Sequence, residues 1–180
     1  KVLWQTRVAD RRPSHLLATD DFVVTRITDD NGTTAQIAVF DSFSGQIIGR
    51  NNFGSESGLP IIPVNLALSP DGILVYLVPN AIVFADLFET NGLKQAKSQP
   101  PRAADNVAGA FMNSTSPDTL QIIGERVLAT GISPSGAMVW MYDLHTGAPI
   151  RFNSNDYLVN VRDPSFLGEG RFMIRSAGSI

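Results

Sequence analysis

Val39-Phe40-Asp41-Ser42-Phe43-Ser44-Gly45 is a short apolar run that ends in an aspartate, passes through two serines and closes on a glycine. Apolar residues resume at Ile47-Ile48. A carboxylate and a hydroxyl can exchange hydrogen bonds across such a turn, and glycine takes the left-handed backbone that reverses the chain. Met141-Tyr142-Asp143-Leu144-His145-Thr146-Gly147 repeats the pattern, and Asp86-Leu87-Phe88-Glu89-Thr90-Asn91-Gly92 repeats it with two extra residues. Asp86 lies 45 residues after Asp41, and Asp143 lies 57 after Asp86. Those spacings fit the roughly 40–50-residue period of four-stranded repeat units, the second holding an insertion.

Working outward from each aspartate, the apolar residues come in short bursts rich in β-branched and aromatic types. Leu16-Ala18, Phe22-Thr28, Gln36-Phe40 and Gln46-Ile48 read as four strands in one set. Val64-Leu68, Ile73-Val78, Ala81-Asp86 and Leu93-Ala96 make a second set, and Leu120-Ile123, Arg126-Thr130, Met138-Asp143 and Ala148-Phe152 a third. Asp20-Asp21, Asp29-Asp30-Asn31-Gly32 and Ser69-Pro70-Asp71-Gly72 supply the turn chemistry between them. Leu3-Val8 reads as a closing strand, and Tyr157-Val161 with Arg171-Arg175 as two opening ones. The repeats therefore run approximately over 14–53, 62–97 and 118–153, with a partial fourth at 157–180 that takes strand 3–8. Residues 98–119, rich in Pro, Ser, Ala and Asn, are an insertion with no strand pattern.

Composition narrows the function. The 180 residues carry 14 Lys+Arg against 17 Asp+Glu, a formal charge of −3, with no basic run longer than Arg11-Arg12. The electrostatic footprint of a nucleic-acid binder is missing. No apolar stretch reaches the roughly 18 residues of a spanning helix, so no membrane span is expected. Hydrophobic residues make up 43% of the chain, enough for a packed core and too many for a disordered one. With no cysteine, disulfides, thiolate metal sites and a Cys nucleophile are excluded together. The chain opens on Lys1, which reads as a piece excised from a longer product.

The turns at Asp41 to Gly45 and Asp143 to Gly147 resemble the small-x-Asp-x-x-Thr/Ser-Gly core of blades in the quinoprotein-like (PQQ-like repeat) β-propellers, and the resemblance covers most of the chain. It implies an all-β fold, a β-propeller of four-stranded antiparallel blades with about three and a half blades present, part of a larger propeller. Structural roles in the blade turns then fall to Asp41, Gly45, Asp86, Gly92, Asp143 and Gly147. In the quinone-binding dehydrogenases of that group, a tryptophan four residues after the glycine packs between neighbouring blades. Here those positions are Gly49 and Arg151, and the vicinal disulfide found beside the quinone is impossible without cysteine. The departures point to the type that binds no quinone, and no cofactor is expected. Ser69-Pro70-Asp71-Gly72 and Ser133-Pro134-Ser135-Gly136 also resemble turns of other propeller families.

Reaction centres are hard to assemble from the remainder. His15 precedes the first strand set and His145 sits in a blade turn, with no His-x-x-x-His spacing for a metal. Asp20-Asp21, Asp29-Asp30 and Asp71 are more economically turn residues than calcium ligands. Gly54-Ser55-Glu56-Ser57-Gly58 is not the Gly-x-Ser-x-Gly of a nucleophile elbow. Trp4, Trp140, Tyr142 and Phe40 read as packing. The reading is a non-enzymatic scaffold or protein-interaction module from a larger exported bacterial protein, periplasmic or secreted by the habit of the group it resembles. A fragment of a propeller enzyme, quinone-type dehydrogenase or hydrolase, or a small-ligand or glycan binder, is the alternative. The candidate binding loop is the insertion, through Pro100, Pro101, Arg102 and Phe111. The partner is another protein or the remaining blades of the same polypeptide, and open blade edges would otherwise promote self-association.

Overall fold

The computed structural model describes residues 4–6, 12–31, 34–54, 65–78, 81–89, 92–94, 96–99, 120–133, 136–150, 161–168 and 171–176. They are all-β, and no helix occurs among them. Strands β1 (Arg12–Ala18), β2 (Phe22–Thr28), β3 (Thr34–Asp41) and β4 (Ile47–Gly54) form one sheet in chain order. β5 (Leu66–Leu68), β6 (Ile73–Val78), β7 (Ala81–Asp86) and β8 (Lys97–Gln99) form a second, and β9 (Leu120–Ile123), β10 (Arg126–Ser133), β11 (Gly136–Asp143) and β12 (Pro149–Ile150) a third. β13 (Val161–Gly168) and β14 (Arg171–Ser176) pair as an antiparallel hairpin. Each four-stranded sheet is an open meander, compatible with a propeller blade. The chain divides into two compact units, Lys1–Ser98 and Gln99–Ile180.

Several strand assignments shift. β1 begins at Arg12, so that His15, expected ahead of the first strand, lies inside it, and β4 runs on to Gly54. Leu93 and Lys94 lie in a turn, and the fourth strand of the second sheet begins only at Lys97, because the two extra residues after Asp86 lengthen the reversal. Of Leu3-Val8, the described residues Trp4–Thr6 join no sheet and are held through side chains instead. The first strand of the final hairpin starts at Val161, where the apolar run had been expected to end, and residues 157–160 lie outside the described set.

In the first unit the strand registers set out the core. Leu17, Val24, Val39 and Gly49 stand opposite one another across the first sheet, as do Ser14, Arg26, Ile37 and Asn51. Directly opposed residues share a face, and this face packs on the second sheet. Phe22, Val24, Ile37 and Val39 meet Leu66, Leu74, Tyr76, Val83, Ala85 and Leu93 in one buried cluster. Each large aliphatic side chain fully buried there contributes about 1.5–3 kcal/mol of transfer free energy. Phe53 of β4 sets its ring edge-on to Tyr76 at 5.8 Å. The strictly alternating exposure of β4 from Ile48 to Gly54 marks a strand with one covered face, whereas Ile73-Leu74-Val75-Tyr76-Leu77 of β6 is buried throughout. That continuous run is the pattern of a strand covered on both faces. The opposite face of the first sheet buries Ile27, Ala38 and Phe40 beneath Trp4 and Val23.

Candidate functional site

The aspartate turns occupy the same place in their sheets. Asp41 pairs with Phe22, Asp86 with Ile73 and Asp143 with Arg126, in each case the first residue of the second strand. The next residue then donates its amide to the carbonyl just before that strand: Ser42 to Asp21 at 2.9 Å, Leu87 to Gly72 at 3.0 Å and Leu144 to Glu125 at 2.9 Å. Within the first and third turns the bonding is the same. Asp41 Oδ1 accepts the Ser44 amide and hydroxyl, both at 2.6 Å, and Asp143 Oδ1 accepts those of Thr146 at 2.8 and 2.7 Å. Gly45 and Gly147 donate to the carbonyls of Asp41 and Asp143 at 2.9 Å, with φ of 71° and 68°. Hydrogen bonds to the charged form stabilise it, so both carboxyls lie below the ordinary range. For Asp41 the Ser44 hydroxyl is the largest cause, and for Asp143 the Thr146 amide.

The second turn reaches a similar end differently. Asp86 Oδ1 accepts the Phe88 amide at 2.9 Å, and the reversal is closed by Gly92, whose amide donates to Glu89 O at 2.9 Å. Gly92 does not take the left-handed backbone. Its lack of a side chain is required by close approach, because a Cβ would stand 1.6 Å from the Asp86 carbonyl oxygen.

Trp4 supplies a contact that reading the strands alone did not locate. Its indole Nε1 donates to Ser42 O at 2.7 Å, its ring stacks on Phe40 with centroids 6.1 Å apart, and Thr6 Oγ1 donates to Gly45 O at 3.3 Å. A Cβ on Gly45 would lie 2.5 Å from Trp4 Cδ2, so glycine serves both the backbone angle and the seat of the indole. The available signal was the lone Trp ahead of the first apolar run. At Gly49, where the resemblance would seat a tryptophan, Leu93 fills the space; a Cβ would come 2.9 Å from its Cδ1. Arg151 lies outside the described residues.

A polar group lies at the β1 edge of the first sheet. Ser14 and Arg26 are register partners, and the ladder then slips so that Leu16 pairs with Thr25, leaving His15 as the extra residue of a bulge. His15 has φ 55°, the one positive φ outside glycine among the described residues. Arg26 Nε donates to Ser14 Oγ at 3.1 Å. Partial burial, and then the Arg26 charge, hold the His15 imidazole below its ordinary pKa.

Exposed large apolar side chains are Leu16, Phe43, Ile47, Ile48 and Phe88, with Phe43 91% exposed at the tip of its turn. His145 is an exposed turn residue whose amide donates to Asp143 Oδ1 at 3.2 Å. Pro100, Pro101, Arg102 and Phe111 lie outside the described residues. Among the described residues no group of three His, Asp or Glu side chains is placed to hold a metal, and no helix is long and apolar enough to cross a membrane. No protein-family model and no curated protein matches the chain.

Proposed function

We propose that the chain is a run of blades from a quinoprotein-like β-propeller of the type that binds no quinone, acting as a non-enzymatic scaffold for protein interaction within a larger exported bacterial protein. The observation that carries this reading is the threefold recurrence of an aspartate-anchored turn at one register position in four-stranded meanders. Trp4, seated on Ser42 and Gly45, ties the amino-terminal segment to the first of these turns. Rigid sheets that hold loops at their ends are suited to presenting those loops to a partner, and the loop proposed for this is 98–119, through Pro100, Pro101, Arg102 and Phe111.

The test compares the full chain with a version in which 98–119 is replaced by a short Gly/Ser linker, its fold checked by circular dichroism. Crosslinking and mass spectrometry in native extract should place one partner's crosslinks on this segment and lose them on deletion. Unchanged crosslinks would refute the loop's role, and a quinone absorbance band after reconstitution would refute the assignment to the quinone-free type.

A further inference from the structure

We propose that the end of the first two sheets where their aspartate turns lie, through Phe43 and Phe88 and the exposed carboxylates beside them, docks a lysine- or arginine-rich segment of a partner protein. The surface lies within the first compact unit, uses none of residues 98–119 and does not depend on the sheets being blades of a propeller.

The geometry begins with the partners Phe22 and Asp41 at one end of the first sheet, and Ile73 and Asp86 at one end of the second. These two ends adjoin. The Phe88 ring stands edge-on to the buried Phe22 ring at 4.8 Å, and a Cβ on Gly72 would lie 2.8 Å from Phe22 Cε2 and 2.7 Å from Phe88 Cε2. Phe43 and Phe88 hold the same place in their turns, two residues after Asp41 and Asp86. The turn uses the amide at that place, which Phe88 and His145 donate to the aspartate Oδ1 at 2.9 and 3.2 Å. The reversal itself needs no phenyl ring, as His145 in the third turn shows. Phe43 is nevertheless 91% and Phe88 61% exposed, so both rings forgo the free energy of burial at one end of the unit.

The charge around the rings selects the occupant. Asp20, Asp21, Asp71 and Glu89 are exposed at this end, whereas Asp41 and Asp86 are engaged by the amides of their own turns. Lys94 is the single basic residue in the segments 19–21, 42–46, 69–72 and 87–96. A surface of this sign repels an anionic membrane, and it repels the same end of a second copy of the chain. Lysine and arginine suit both of its parts, because the aliphatic stem lies along a phenyl ring while the cation is drawn to the ring face and to the carboxylates. Phe88, already fixed against Phe22, loses little freedom on binding, and Phe43 adds a contact at the tip of the other turn.

The probe is a fluorescein-labelled peptide in which lysine alternates with glycine and leucine, and its control carries glutamate at every lysine. Fluorescence anisotropy with the full chain should saturate with the lysine peptide, weaken as salt rises and show no binding of the control. Phe43→Ser and Phe88→Ser leave the charge unchanged and should each weaken binding by about tenfold or more. Phe43→Ser, at a side chain almost wholly in solvent, should also leave the denaturant midpoint where it is, which separates binding from folding. Replacing 98–119 with the Gly/Ser linker should leave peptide binding intact, so the result is distinct from the fate of that loop. The proposal is overturned if the lysine peptide does not saturate, or if Phe43→Ser binds it as tightly as the parent, the mark of diffuse attraction to an acidic surface. It is also overturned if the Phe43 ring signals in NMR respond to the neutral oligosaccharide cellohexaose and not to the peptide, which would assign this end to glycans.

Discussion

Replacing Gly45 with alanine tests how the first blade-like sheet is held together. With φ at 71°, an alanine there incurs about 1–2 kcal/mol from the left-handed backbone alone. The new methyl would also stand 2.5 Å from Trp4 Cδ2, well inside the roughly 3.5–4.0 Å of a normal carbon contact, so the indole must leave its seat. Leaving forfeits the bond from Nε1 to Ser42 O, about 1 kcal/mol, and the stacking on Phe40, about 0.5–1.5 kcal/mol. Gly45→Ala should therefore cost about 3–4 kcal/mol. In a Trp4→Ala background only the backbone contribution remains, and the same substitution should cost about 1–2 kcal/mol. Urea unfolding of the four members of the cycle, followed by circular dichroism at constant m, measures the difference as a coupling of about 2 kcal/mol. Equal costs of Gly45→Ala in the two backgrounds would refute the claim that the turn and the indole are one structural unit.

Leu74, with no exposed surface at the centre of the packing between the first two sheets, should lose about 2–5 kcal/mol on Leu74→Ala, whereas Leu16→Ala, at a side chain 72% exposed, should change stability by less than about 0.5 kcal/mol; denaturant midpoints decide, and similar losses would contradict the core assignment. Asp41 and Asp143 have folded pKa values depressed below their unfolded ones, so their contribution is complete above the ordinary carboxylate range and is lost as pH falls through about 4 toward the folded values. Asp41→Asn and Asp143→Asn should accordingly flatten the acid limb of the stability profile relative to the parent, and an unchanged limb would refute the role of the turn carboxylates.

Local chemistry in the sequence determined the strand sets and their turns. Asp41 with Ser44 and Gly45, and Asp143 with Thr146 and Gly147, bond within five residues, so their geometry follows from side-chain reach and from the one residue type that tolerates a left-handed backbone. The continuous apolar run of β6 likewise announces a strand covered on both faces, whereas the apolar pair Ile47-Ile48 that announced β4 is exposed. What depends on contacts between distant residues was decided only in the tertiary structure. Trp4 reaches Ser42 across 38 positions, and nothing in Leu3-Trp4-Gln5 distinguishes an indole that pairs in a ladder from one that docks on a turn. Leu93, in the lengthened turn instead of its expected strand, fills the space beside Gly49, a place that exists only once the two sheets are packed. The bulge at His15 arises from the register between β1 and β2, where Ser14 meets Arg26 and Leu16 meets Thr25. A strand's own residues specify which side chains alternate, whereas the residue its partner leaves unpaired is specified by both strands together.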